Sequence, residues 1–174
     1  MTPSKKMQSN SCPWVLVHII TKLEIGGAQF ATLDTLAKSA IPFKERILLC
    51  GPGGDLDQIA HDLSNTETVF ISSLQNTINP LQDCFALFKI YLFLRSIKRK
   101  HSQTKILVHT HCSKAGVLGR IAAFLAKSHI IVHTVHGFGY HRFPHRWLRP
   151  ILRSAEKFCG QLTHAFSVDA EANK

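Results

Sequence analysis

A chain of 174 residues can form one domain with its own core. With 45% hydrophobic and 18% charged residues, its composition is globular rather than disordered. Lys and Arg number 21 against 11 Asp and Glu, a formal +10. That excess biases the surface toward anionic partners without choosing among nucleic acid, acidic lipid and phosphorylated substrate.

Five cysteines, Cys12, Cys50, Cys84, Cys112 and Cys159, are odd in number and contain no C-x-x-C pair. This argues against a zinc ribbon or redox pair and for scattered buried thiols in a reducing cytosol. Residues 1–12 read as a polar tail and 13–174 as a single domain. The apolar run Trp14 to Ile20 is too short to span a membrane and lacks the features of a signal peptide. Cys84 to Leu94 is also too short and carries Lys89. The expected location is therefore the cytoplasm, with any membrane contact peripheral, on the inner face of the plasma membrane.

Strand and helix signals alternate along the chain. Trp14 to Thr21 is a β-branched apolar run that predicts a buried strand, closed by Gly26-Gly27. Phe30, Leu33, Leu36 and Ala37 then recur at helical spacing over Ala28 to Ser39. Arg46 to Cys50 predicts a second strand, ended by Gly51-Pro-Gly-Gly54, with Asp55 placed to cap a helix through Leu56, Ile59, Ala60 and Leu63. Thr68 to Ile71 is a short third strand, and Pro80 opens a long helix to about Lys98. Lys105 to Thr110, Ile130 to Val135 and Thr163 to Val168 predict three more strands. Helices are expected between them over Lys114 to Lys127 and over Pro144 to Phe158, the latter broken at Pro150. This alternation predicts an α/β fold with one doubly wound parallel sheet and helices on both faces.

Ligands of such sheets bind at the carboxyl ends of the strands, so the loops there hold the candidate residues. Gly26 and Gly27 either let a phosphate or sugar approach the backbone at a helix start, or form a tight turn needing positive φ. Neither the G-x-G-x-x-G fingerprint nor a P-loop is present. His109 and His111 fall on one face of a strand, Cys112 on the other if the strand continues. Without a carboxylate or thiolate at ligand spacing, hydrogen-bonding histidines are expected there rather than a metal site. Ser113 and Lys114 open a helix whose Gly116, Gly119, Ala122, Ala123 and Ala126 suit close packing on the sheet. His136 and Gly137 follow the fifth strand, where a histidine can hydrogen-bond a substrate.

Arg142, Arg146, Arg149, Arg153 and Lys157 recur every three or four residues and gather on one helical face. Trp147, Ile151, Ala155 and Phe158 fall roughly opposite. This pattern suits an anionic membrane surface and equally an ordinary solvated helix. Lys98-Arg99-Lys100 forms a second basic cluster. No recognition motif accompanies the charge, so no nucleic-acid partner is expected.

Taken in order, four stretches resemble the N-terminal domain of family 4 glycosyltransferases (GT-B fold) that assemble bacterial surface polysaccharides. They are His18 to Gln29, Ile78-Asn79-Pro80 with the helix after it, His109 to Arg120, and His133 to Phe138. The resemblance implies that the sheet is one Rossmann-like half of a GT-B fold. It implies retaining transfer of a sugar from a UDP- or GDP-linked donor to a lipid-linked or saccharide acceptor. No cofactor and no metal are expected. By position Gly26 and Gly27 match the glycine loop near the donor phosphates and reacting sugar, His136 the histidine beside the reacting sugar, and Ser113 and Lys114 the loop on the acceptor side of the cleft; His111 and Gly137 are further candidate donor- or acceptor-binding residues. The family's donor-holding residues lie in a second, C-terminal domain that this chain does not contain, so a partner domain in cis or in trans is expected and the chain alone should be inactive. The alternative is a non-catalytic basic module that binds a partner protein or an anionic membrane.

Overall fold

Short β-branched runs that are buried on both sides make parallel strands, and amphipathic segments between them make the crossovers. A computed structural model describes residues 12–100, 103–136 and 148–168. In chain order the elements are β1 (Cys12–Lys22), α1 (Gly27–Lys38), β2 (Phe43–Gly51), α2 (Asp57–His61), β3 (Glu67–Phe70) and α3 (Pro80–Lys100). Then follow β4 (Lys105–His111), α4 (Ser113–Leu125), β5 (Ile130–Val135), α5 (Leu148–Gln161) and β6 (Ala165–Val168). The six strands are all parallel, in the order β3-β2-β1-β4-β5-β6. The predicted single doubly wound sheet is therefore present.

Side chains alternate across the sheet. Val15, Val17 and Ile19 of β1 pack with Ile106 and Val108 of β4 against Ala86, Ile90 and Leu94 of α3 and Ala115, Ala122 and Ala123 of α4. On the opposite face Leu16, Ile20 and Leu48 pack with Leu33 and Leu36 of α1 and Ala60 of α2. The small-residue face of α4 does bring that helix close to the sheet. A Cβ on Gly116 would lie 2.5 Å from the His133 ring, and one on Gly119 2.7 Å from Thr110 Cγ2.

Several helix details differ from expectation. In α1, Phe30 and Ala37 are exposed, and Thr32 takes the buried position with its hydroxyl donating to the Ala28 carbonyl at 2.8 Å. Asp55 does not cap α2. Instead the Asp57 carboxylate accepts the Gly53 and Gly54 amides at 2.7 and 3.1 Å, and Leu56 occupies the cap position. Gly54 leaves no room for a side chain, since a Cβ would meet the Leu23 carbonyl oxygen at 2.4 Å. α2 is one short turn, and Leu63 lies beyond it.

Pro150 does not break α5. It lies in the first turn, where no intrahelical amide bond is lost. The buried side of α5 is Cys159 with the half-buried Leu152, Ala155 and Glu156, while Ile151 and Phe158 are exposed. Two of the five predicted cations, Arg142 and Arg146, lie outside the described residues, as do Gly137 and Trp147. Arg153 and Lys157 are exposed and Arg149 is half-buried. No helix among the described residues is long and apolar enough to cross a membrane.

Candidate functional site

The strand order reverses between β1 and β4, and the crevice at the carboxyl ends of those strands is where open α/β sheets bind ligands. Four histidines converge there. His18 of β1 pairs in register with His109 of β4, and alternation puts His111 on the same face. His136 follows β5 directly. His18 Nδ1 lies 2.8 Å from His111 Nε2, and His111 Nδ1 lies 3.1 Å from His136 Nε2. His109 Nε2 contacts Thr134 Oγ1 at 2.7 Å. The rings also stack, with centroids 5.0 Å apart for His18 and His111 and 5.3 Å for His111 and His136.

Burial, with the neighbouring imidazoles adding, holds His18, His109 and His111 neutral. His18 and His111 titrate well below the ordinary histidine range, and His109 is lowered to about 4. His133 points to the other face, beside Gly116, and contacts Thr110 Oγ1 at 2.9 Å. Burial and then the Arg120 charge lower its pKa to about 3.

One nitrogen from each of His18, His109 and His111 lies within 4.8 Å of the others, as a metal site would require. The hydrogen-bonded pair at 2.8 Å is nevertheless tighter than two nitrogens on one tetrahedral zinc, which Zn–N bonds of 2.0–2.1 Å place about 3.3 Å apart. The group also contains no anionic ligand to offset a buried divalent charge. Its geometry is that of an imidazole hydrogen-bonded array.

Gly26 has φ −175°, extended backbone that any residue adopts, and of the two readings of this pair the positive-φ turn is absent. A Cβ on Gly27 would meet nothing within 4 Å, and one on Gly26 only the flexible end of Gln29. The fold itself therefore demands neither glycine. We expect Gly27→Ala to leave the melting temperature unchanged or to raise stability by up to about 1 kcal/mol. The same variant should weaken any ligand that approaches this backbone, which calorimetric titration with a UDP-sugar on an assembled two-domain protein would read.

β4 ends at His111, and Cys112, at φ 59°, turns the chain into α4 rather than continuing the strand. Ser113 starts α4. Lys114 is paired with Asp83 of α3 at 2.6 Å and donates to the Thr77 carbonyl. Both line a cavity of about 150 Å³ whose walls include Ile78, Val117, Leu118 and Leu152. His111 is buried and reaches the strand ends through His136. Cys50 is buried, with its thiol pushed up to about 12 by burial and then by Asp57, and is chemically inert. Sequence reasoning did not single out His18. Its signal was a lone imidazole in an otherwise apolar strand, but only the β1–β4 pairing reveals its partners.

No protein-family model matches the chain. The fold is similar to that of a Listeria monocytogenes protein assigned as a UDP-N-acetylglucosamine 2-epimerase. The TM-score is 0.53 at 13% identity, over 91% of this chain and 39% of that one. Over 116 residues the chain is 34% identical to the UDP-Gal:α-D-GlcNAc-diphosphoundecaprenol α-1,3-galactosyltransferase of Escherichia coli. The chain fits a GT-B glycosyltransferase domain. The match covers 67% of this chain but 28% of the Escherichia coli enzyme. The β1–β4 crevice and its histidine array lie toward the carboxyl ends of the strands, where open α/β sheets bind ligands.

Proposed function

We propose that this chain is the acceptor-side half of a retaining family 4 glycosyltransferase. The whole enzyme would move a sugar from a UDP- or GDP-linked donor to a lipid-linked acceptor. The observation that carries this reading is the 34% identity to an enzyme whose acceptor is a diphosphoundecaprenol-linked sugar. His136, at the end of β5, supports it as the group that hydrogen-bonds the reacting sugar. The unencumbered backbone of Gly26 and Gly27 supports a role near the donor phosphates. The apolar cavity beside Ser113 and Lys114 supports those two as acceptor-side contacts.

Departure of a nucleoside diphosphate needs its developing charge stabilised by fixed cations or dipoles. The residues proposed for that task belong to a second domain, supplied in cis or in trans. A specific observation favours a peripheral position on an anionic membrane as well. Leu81, Phe85, Phe88 and Leu92 form an exposed apolar stripe along α3, which ends in Lys98, Arg99 and Lys100. Arg153 and Lys157 add exposed cations on α5.

The test is transfer from labelled UDP- and GDP-sugars to a membrane lipid extract, by this chain alone and with a co-expressed donor-binding domain. Turnover is expected only from the pair, and His136→Ala should lower it by about 10²–10⁴-fold. Turnover by the chain alone would overturn the half-enzyme reading. Inactivity of both, with salt-sensitive binding to anionic vesicles, would favour a non-catalytic membrane module.

A further inference from the structure

We propose that His18, His111 and His136 form one tautomerically locked chain, in which the buried His18 and His136 must carry hydrogen on the same ring nitrogen. A neutral imidazole carries one N–H and one lone pair. Both nitrogens of His111 are engaged, Nε2 by His18 Nδ1 and Nδ1 by His136 Nε2. His111 therefore donates to one neighbour and accepts from the other.

Two arrangements satisfy both bonds. In the first, His18 donates from Nδ1 to His111 Nε2, and His111 donates from Nδ1 to His136 Nε2, so all three rings carry hydrogen on Nδ1. In the second, His136 donates from Nε2 to His111 Nδ1, and His111 donates from Nε2 to His18 Nδ1, so all three carry hydrogen on Nε2. Any mixed set breaks a bond or sets two lone pairs or two hydrogens against each other. Changing from one state to the other moves the proton on every ring.

The consequence is at His136. Its Nδ1 is a donor in the first state and an acceptor in the second. The state of His136 is thereby tied to that of His18, which is 1% exposed. His18 and His111 are thus positioning residues, and stacked rings at 5.0 and 5.3 Å hold the chain in line. Burial supports the neutral forms that the lock requires. The functional meaning rests on the proposed role of His136, but the lock itself needs no substrate. A failed transfer assay and a failed lock are therefore separate results.

The experiment is long-range proton–nitrogen correlation of the histidine rings in the 15N-labelled chain at neutral pH, which reads the tautomer of each ring. The expected result is one shared tautomer for His18, His111 and His136. His18→Phe should release the lock, so that His136 shows both tautomers. His18→Asn, whose amide can donate or accept near the Nδ1 position, should restore the hydrogen bond to His111 Nε2 that His18→Phe removes, read in the His111 ring shifts. Opposite tautomers on His111 and His136 in the wild-type chain would overturn the proposal, whatever the variants do. So would an unchanged His136 signal in a folded His18→Phe variant.

Discussion

Acidification below about pH 6 is expected to unfold this protein steeply, because at least four imidazoles are held neutral in the native state. His18, His109, His111 and His133 are all depressed, first by burial and then by neighbouring imidazoles or, for His133, by Arg120. In the unfolded chain these rings take up protons around their ordinary value of 6.5, while native His109 does so only near 4 and native His133 near 3. Between those limits the unfolded state binds more protons, so stability is lost as pH falls. Each ring contributes at most about 1.4 kcal/mol per pH unit, and four together about 5. A typical domain stability of about 5–15 kcal/mol would be used up within one to three units. Thermal melts should be insensitive to pH above about 7 and fall sharply from about 6 to about 4. The pH dependence of the unfolding free energy should report uptake of three to four protons, read as a slope of about 4–5 kcal/mol per pH unit. A melting temperature unchanged between neutral pH and about pH 5 would mean that the rings are solvated and the array is not packed as described.

Glu156→Ala is expected to cost about 3–5 kcal/mol, a large share of the total. Arg120 is 1% exposed within α4, and its Nε donates to the Gly116 carbonyl at 2.8 Å. Its other end meets the Glu156 carboxylate from α5. Removing the carboxylate leaves a guanidinium buried without its counter-charge, and arginine does not escape by losing its proton. Replacing both partners with apolar residues, as in Arg120→Leu with Glu156→Leu, removes the charge as well and should recover most of the loss. Urea unfolding of Glu156→Ala and of the double variant checks this. A Glu156→Ala cost below about 1 kcal/mol would show that the pair is solvated. Glu156 also lines the cavity beside Ser113 and Lys114, so the same substitution should loosen that wall.

The architecture was legible because each strand is a short apolar run closed by glycine, proline or a polar turn, and each crossover carries helical periodicity. Periodicity also identified the small face of α4, where Gly116 and Gly119 touch the sheet. It failed where local geometry decides. Asp57 rather than Asp55 holds the loop before α2 because its carboxylate reaches two glycine amides. Pro150 sits harmlessly in a first turn, so a break expected for a helix interior does not occur. Ile151 and Phe158 share an apolar half of α5 but flank the residues that pack against α4, and so remain exposed. The histidine array was legible only in parts. His109, His111 and His136 stand at strand ends, but no pattern along one strand tells that β1 lies beside β4. The pairing of His18 with His109 belongs to topology. The Arg120–Glu156 pair was hidden for the same reason, since its members lie 36 positions apart on different helices.

That strand order also sets the timing of folding. β1 takes one of its two neighbours from β4, and the His18–His111 contact joins residues 93 positions apart. Contacts of such separation form late, because loop closure must come before they stabilise anything. During synthesis at 5–20 residues per second, β1 waits about 5–20 s before its β4 partner exists. Through that interval a strand containing Val15, Leu16, Val17, Ile19 and Ile20 carries an open, apolar edge. The strand most deeply buried in the finished sheet is thus the one most open to mispairing until β4 emerges.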